Sequence, residues 1–167
     1  IHLDTERVNQ QLPSAAAQFQ PDLVWIEKGN MMRASCLRRL KTICPNAVIA
    51  AYSEDDMFNT LNRTRRYTAS LPLYDVVFTT KSYNANANEL PALGAKRCIM
   101  VDKAYDPDQH FPLEISKEER AAYGAEIGFI GSYAPERGDD VLFLAKAGFE
   151  VRVWGNGWEA FNGSHPN

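Results

Sequence analysis

Six short runs of β-branched and aromatic residues recur along the chain with helix-length segments or polar stretches between them. No other feature limits the fold so strongly. The runs are Asp22–Glu27, Ala47–Tyr52, Asp75–Thr79, Arg97–Val101, Glu126–Ile130 and Glu150–Trp154. Continuous apolar runs predict strands buried on both faces, as in parallel sheets. Between the first two runs, Leu37, Leu40 and Cys44 share one helical face and Pro45 stops the helix. Between the last two, Val141, Leu144 and Ala145 share a face and Gly148 suits the position just past the helix end. The alternation predicts an α/β protein with Rossmann-like, doubly wound parallel sheets.

The spacing breaks once. The stretch after Val101 as far as Ala125 is mostly polar and contains Pro107 and Pro112. Ser116-Lys-Glu-Glu119 has the form of a capping box, so a short helix is expected inside it. A structureless loop of that length is unusual within one domain, so this stretch reads as a crossover between two. The expected division is 1–106 for a first Rossmann-like domain, 107–125 for the crossover and 126–167 for the start of a second. The chain opens on Ile1 and closes on Gly163–Asn167 without an obvious closing element, and it reads as an excerpt of a longer protein.

Composition narrows the function classes. With 167 residues, 45% of them hydrophobic, the chain is globular rather than disordered, and holds one domain or an incomplete pair. Eighteen basic against 21 acidic residues leave a formal charge of −3, without the basic excess that nucleic-acid binding leaves in a sequence. Three cysteines with no CxxC argue against a disulfide framework or a cysteine zinc site. Cys36 and Cys44 lie about 12 Å apart along a predicted helix, too far for a disulfide. Reduced thiols and the lack of a signal-peptide pattern or a long apolar run predict a cytoplasmic protein with no transmembrane segment.

Open α/β sheets bind ligands beyond the carboxyl ends of their strands, so the residues following each run are the candidates. After the fifth run comes Gly131-Ser-Tyr-Ala-Pro-Glu-Arg137. A glycine there lets backbone approach a ligand, and free N–H groups at the next helix start hold a phosphate well, with Arg137 as a bidentate cation. The alternative is an ordinary turn with Ser132 as cap and Arg137 in solvent. After the sixth run, Gly155-Asn-Gly157 permits a tight positive-φ turn, either at a ligand or in a hairpin. After the second run, Asp55 and Asp56 are placed to act as base, hydroxyl-orienting group or metal ligand, or else to cap a helix. Lys81, after the third run, is positioned to meet an anionic ligand or simply to stand in water. His2, His110 and His165 are far apart with no metal-ligand spacing. No metal and no cofactor is expected.

The stretch Leu73-Tyr-Asp-Val-Val-Phe-Thr-Thr-Lys81, then Glu89-Leu-Pro-Ala-Leu-Gly-Ala95, then Tyr105-Asp-Pro-Asp-Gln-His110, resembles the spore-maturation (CgeB-like) glycosyltransferases of bacteria. Phe129–Arg137 and Val151–Trp158 continue the resemblance in the same order, so that it spans about 22–158. It implies the GT-B architecture, two Rossmann-like domains facing each other, with the acceptor on the N-terminal one and a nucleotide-diphosphate sugar on the C-terminal one. It implies a donor-diphosphate site at Gly131, Ser132 and Arg137, a nucleotide-sugar loop at Gly155 and Gly157, and catalytic candidates at Asp55, Asp56 and Lys81. Ser132 departs from the family pattern, which often has a basic residue there.

The resemblance also implies a first strand ahead of Ile1 and a paired-glutamate region beyond Asn167, in a parent of about 300 residues or more. The expected activity is sugar transfer to an unknown acceptor, whether glycan, protein or small molecule, by the parent protein. The 167-residue chain alone is expected to be inactive. Two other readings stand beside this one. The first is a non-catalytic sugar- or nucleotide-binding α/β module. The second is a receiver-like signalling domain, suggested by the acidic pair, Thr79-Thr80 and Lys81.

Overall fold

The computed structural model describes residues 7–161. All six apolar runs form strands, and they fall into two separate parallel sheets of four and two strands. By compactness the chain divides into a unit of residues 1–105 and a unit of residues 106–167.

The first unit contains α1 (Val8–Phe19), β1 (Leu23–Glu27), α2 (Ala34–Ile43), β2 (Val48–Ser53), α3 (Arg65–Ser70), β3 (Val76–Thr79) and β4 (Cys98–Met100). Short 3-10 turns at Leu71–Leu73, Ser82–Ala85 and Pro91–Leu93 complete its crossovers. The strand order is β1-β2-β3-β4, all parallel. Each crossover therefore steps in the same direction, and right-handed connections place their helices on one face. The core sits there, with Leu37, Leu40, Leu71, Tyr67 and Tyr74 packed over Ile26, Ile49 and Val77.

Burial on both faces, expected from the apolar runs, is found on one face only. Along β1, exposed and buried residues alternate, and Leu23, Trp25 and Val48 on the other face stay 44–54% exposed. Trp25 lies across Ala50 and stacks on Phe78 two strands away, with ring centroids 5.5 Å apart and a second stack on Tyr52 at 5.6 Å. Ala50 is thereby 1% exposed although it belongs to the open face. The reversal of strand order that makes a sheet doubly wound is not among the described elements.

The second unit contains α4 (Lys117–Tyr123), β5 (Ile127–Ile130), α5 (Pro135–Lys146) and β6 (Val151–Trp154). The predicted capping box forms: the Glu119 N–H donates to Ser116 Oγ at 3.1 Å, and the Ser116 N–H donates to Glu119 Oε2 at 2.8 Å. Arg152 donates to the carbonyls of Ala121 and Ala122, which ties α4 to β6 within this unit. Pro135 opens α5, and Gly148 follows its end at φ 99°, as the sequence pattern requires.

Candidate functional site

Two groups of strand ends carry the candidate residues, one in each unit. In the first unit the chain turns sharply after β1, with Lys28 and Gly29 both in the left-handed region at φ 56° and 62°. Lys28 Nζ meets Asp55 Oδ2 at 2.6 Å, and Lys103 Nζ meets Glu54 Oε2 at 2.8 Å. Tyr52 donates from its hydroxyl to Glu54 Oε1 at 3.2 Å, and Thr80 donates to the Glu54 carbonyl. The Lys103 ammonium holds the Glu54 carboxyl below its usual range and is itself raised by that bond. Desolvation, followed by the Glu54 carboxylate, raises the Tyr52 phenol.

The two adjacent aspartates part company. Asp55 reaches Lys28, whereas Asp56 turns inward and accepts from the N–H groups of Phe58 and Asn59 and from Asn84 Nδ2 at 2.8 Å. Burial disfavours the Asp56 carboxylate, but those hydrogen bonds outweigh it and lower its pKa. Asn84 is fully buried and its Oδ1 accepts from the Met57 N–H, so Asp56 and Asn84 together fix the loop after β2. A second amide, Asn30, does the same from the other side. Its side chain donates to the Asn62 carbonyl and accepts from the Thr64 N–H. Lys81 joins neither aspartate in an ion pair, and its own N–H donates to Thr79 Oγ1. Of the three catalytic candidates, Asp55 presents its carboxylate at the strand ends in an ion pair with Lys28, whereas the Asp56 carboxylate is taken up by the loop after β2.

In the second unit the loops after β5 and β6 meet. The Gly131 N–H donates to the Trp154 carbonyl at 2.8 Å, and the Tyr133 N–H donates to the Asn156 carbonyl at 2.8 Å. Gly155 lies against the Gly131 carbonyl so closely that a Cβ there would overlap it, and its φ is 144°. Gly157, at φ 86°, carries the chain into a 3-10 turn rather than a hairpin, and β6 pairs with β5 in parallel. Trp158 caps the arrangement, donating from its indole to the Gly131 carbonyl at 2.8 Å and packing edge-on against Phe129 and Tyr133.

Arg137 folds back over this loop. Its guanidinium donates to the Ser132 carbonyl at 2.6 Å and lies 5.8 Å from the centre of the Phe129 ring. One N–H is committed and the remaining donors of the fork stay available. Ala134, not Ser132, occupies the cap position of α5, and no side chain caps it. The N–H groups of Glu136 and Arg137 therefore open towards solvent at the positive end of the helix. Gly131, Ser132, Arg137, Gly155 and Gly157 thus form one contiguous surface.

His2 and His165 lie outside the described residues, and His110 is exposed. Among the described residues no cluster of His, Cys, Asp and Glu is placed to hold a metal, and no helix is long and apolar enough to cross a membrane. The three cysteines are free thiols. Lys28, Glu54, Lys103, Asn84 and Trp158 hold these sites in shape without having been singled out from the sequence. Lys28 follows β1 directly, so the strand-end rule applied to the first run points to it, whereas nothing in the spacing connects Asp56 with Asn84. No protein-family model matches the chain, and neither does any curated protein.

Proposed function

We propose that this chain is part of a GT-B-type glycosyltransferase that moves a sugar from a nucleotide-diphosphate donor to an acceptor, with the loops after β5 and β6 receiving the donor diphosphate. The observation that carries this reading is the backbone contact between Gly131 and Gly155 beside the uncapped start of α5. Both Gly131 main-chain groups are used within the loops, the N–H on Trp154 and the carbonyl on Trp158, so the groups left to meet a pyrophosphate are the N–H groups of Glu136 and Arg137 at the uncapped start of α5. Arg137, anchored on the Ser132 carbonyl, adds a cation beside them.

The chemistry follows from charge. A departing nucleoside diphosphate gains negative charge as the glycosidic bond breaks, and the N–H groups of Glu136 and Arg137 with the guanidinium offset it. These groups supply that stabilisation by themselves, whether or not a metal also takes part. In the first unit, Asp55, paired with Lys28, is the group suited to take a proton from an acceptor hydroxyl. Asp56 serves to shape the loop, and Lys81 remains available to an anionic ligand.

Amide-resolved NMR of the chain titrated with uridine diphosphate, and separately with uridine, tests the reading. The proposal requires saturable shifts at Gly131, Glu136, Arg137 and Gly155 with the diphosphate and none there with uridine. Equal shifts with both ligands, or none at these amides, would remove the donor site.

A further inference from the structure

At the carboxyl ends of the first sheet, two of the three lysines have their carboxylates. Lys28 holds Asp55 and Lys103 holds Glu54, while the Asp56 carboxylate is taken up by its own loop. Lys81 meets no carboxylate at ion-pair distance among the described residues. Burial makes the exception sharper. Of the seven lysines in the chain, only Lys41 and Lys81 are half-buried, and the others are exposed. Lys41 is matched by Asp75, and Lys81 is not matched. A lysine that gives up part of its water is ordinarily paired.

The sheet itself sets the place of Lys81. β3 is paired with β2 on one side and β4 on the other, so Lys81 follows an inner strand and not an edge. Ser53 and Thr79 are register partners on β2 and β3, and both are buried. Each hydroxyl accepts from the N–H two residues further on, that of Asp55 and that of Lys81, at 3.1 Å in both turns. The same turn on neighbouring strands puts Asp55 and Lys81 side by side, at a strand spacing of about 5 Å. On the β4 side Asp102 follows in register, and it forms no ion pair with Lys81.

We infer that Lys81 receives an anionic group of the acceptor itself. The acceptor is then a hydroxyl compound that carries a phosphate or carboxylate within one sugar-sized unit of the hydroxyl presented to Asp55. This rests on the reading of the first unit as the acceptor side. An ammonium offers three donors and a full charge to an oxyanion, whereas a neutral acceptor leaves Lys81 unmatched. Lys28 does not serve the same purpose, because Asp55 already occupies it. The adjacent strand ends therefore divide the work, with Asp55 meeting the hydroxyl and Lys81 meeting the charge.

The probes are glucose 6-phosphate, glucuronate and glucose, titrated into the chain while the lysine side-chain and Asp55 resonances are followed by NMR. At least one of the two anionic sugars is expected to bind saturably and shift the Lys81 side chain, and which of them binds names the anion. Glucose is expected to leave Lys81 unmoved. Lys81→Gln should weaken binding about tenfold or more, and Lys81→Arg should retain it, which separates lost charge from lost fold. Lys96→Gln, exposed at the opposite end of the sheet, should bind as the wild type does. Equal binding of glucose, no binding of either anion, or shifts centred on Lys28 or Lys103 would overturn the assignment. So would a Lys81 ammonium protected from exchange before any sugar is added, since a group of the protein would then already hold it. Uridine diphosphate is read at Gly131 and Arg137 and the sugars at Lys81, so failure of the donor site and failure of this assignment are seen separately.

Discussion

Gly155 rests against the carbonyl of Gly131, and no side chain fits between them. This contact couples the turns after β5 and β6 into one surface. Gly155→Ala should destabilise the second unit by about 2–4 kcal/mol, since both the left-handed φ and the steric overlap oppose it. Gly148→Ala is the control. Its φ is 99° but nothing lies within 4 Å of the added carbon, so the cost should be about 1–2 kcal/mol. Urea unfolding of both variants checks the difference, and equal losses would show that the Gly131 contact is relieved at no cost.

Acid should weaken the first unit through two aspartates. Asp56 is lowered as described, and Asp75 is lowered against burial by the Lys41 ammonium at 2.5 Å and the Ile49 N–H at 2.8 Å. Each binds its proton more weakly folded than unfolded. Their stabilisation is therefore complete above the ordinary aspartate value of 3.8 and is lost as the pH falls through the lower folded value. The urea midpoint should hold near neutrality and drop below about pH 4. The drop should be shallower in the Asp56→Asn, Asp75→Asn double variant. An unchanged acid slope in that variant would assign the effect to other groups.

Two tyrosines are buried with hydroxyls that have no hydrogen-bond partner among the described residues, Tyr67 and Tyr74, and burial raises both pKa values. A buried unpaired hydroxyl costs stability. Tyr74→Phe should therefore leave the unfolding free energy unchanged or raise it by about 1 kcal/mol. A loss larger than about 1 kcal/mol would mean that a bound water or another group satisfies the hydroxyl.

The strands were legible because their apolar runs are short, continuous and bounded by polar residues, and Ser116 and Glu119 announced their helix by spacing alone. What the runs could not reveal is that one face of the first sheet is open. Leu23, Trp25 and Val48 are apolar on that face too, so periodicity reads the same whether helices cover it or not. The candidate site was legible in the second unit, where glycines at strand ends mark close backbone approach. Their partners were not, because the Gly131–Gly155 contact depends on the parallel register that aligns Ile130 with Trp154. In the first unit Asp55 and Asp56 look equivalent in sequence. They separate only because Asn84, 28 residues beyond Asp56, is folded beneath the second one.

The donor-diphosphate site is tested most directly by titration calorimetry of uridine diphosphate and uridine against the wild-type chain and Arg137→Ala. Loss of the guanidinium should cost about 1.5–3 kcal/mol, a ten- to hundred-fold drop in affinity for the diphosphate. Arg137→Lys should recover part of it, since a point charge does not reproduce the planar fork. Uridine should bind wild type and variant alike, which separates a phosphate contact from damage to the loop. Equal affinity of wild type and Arg137→Ala for uridine diphosphate would contradict the account and return the loop to an ordinary turn.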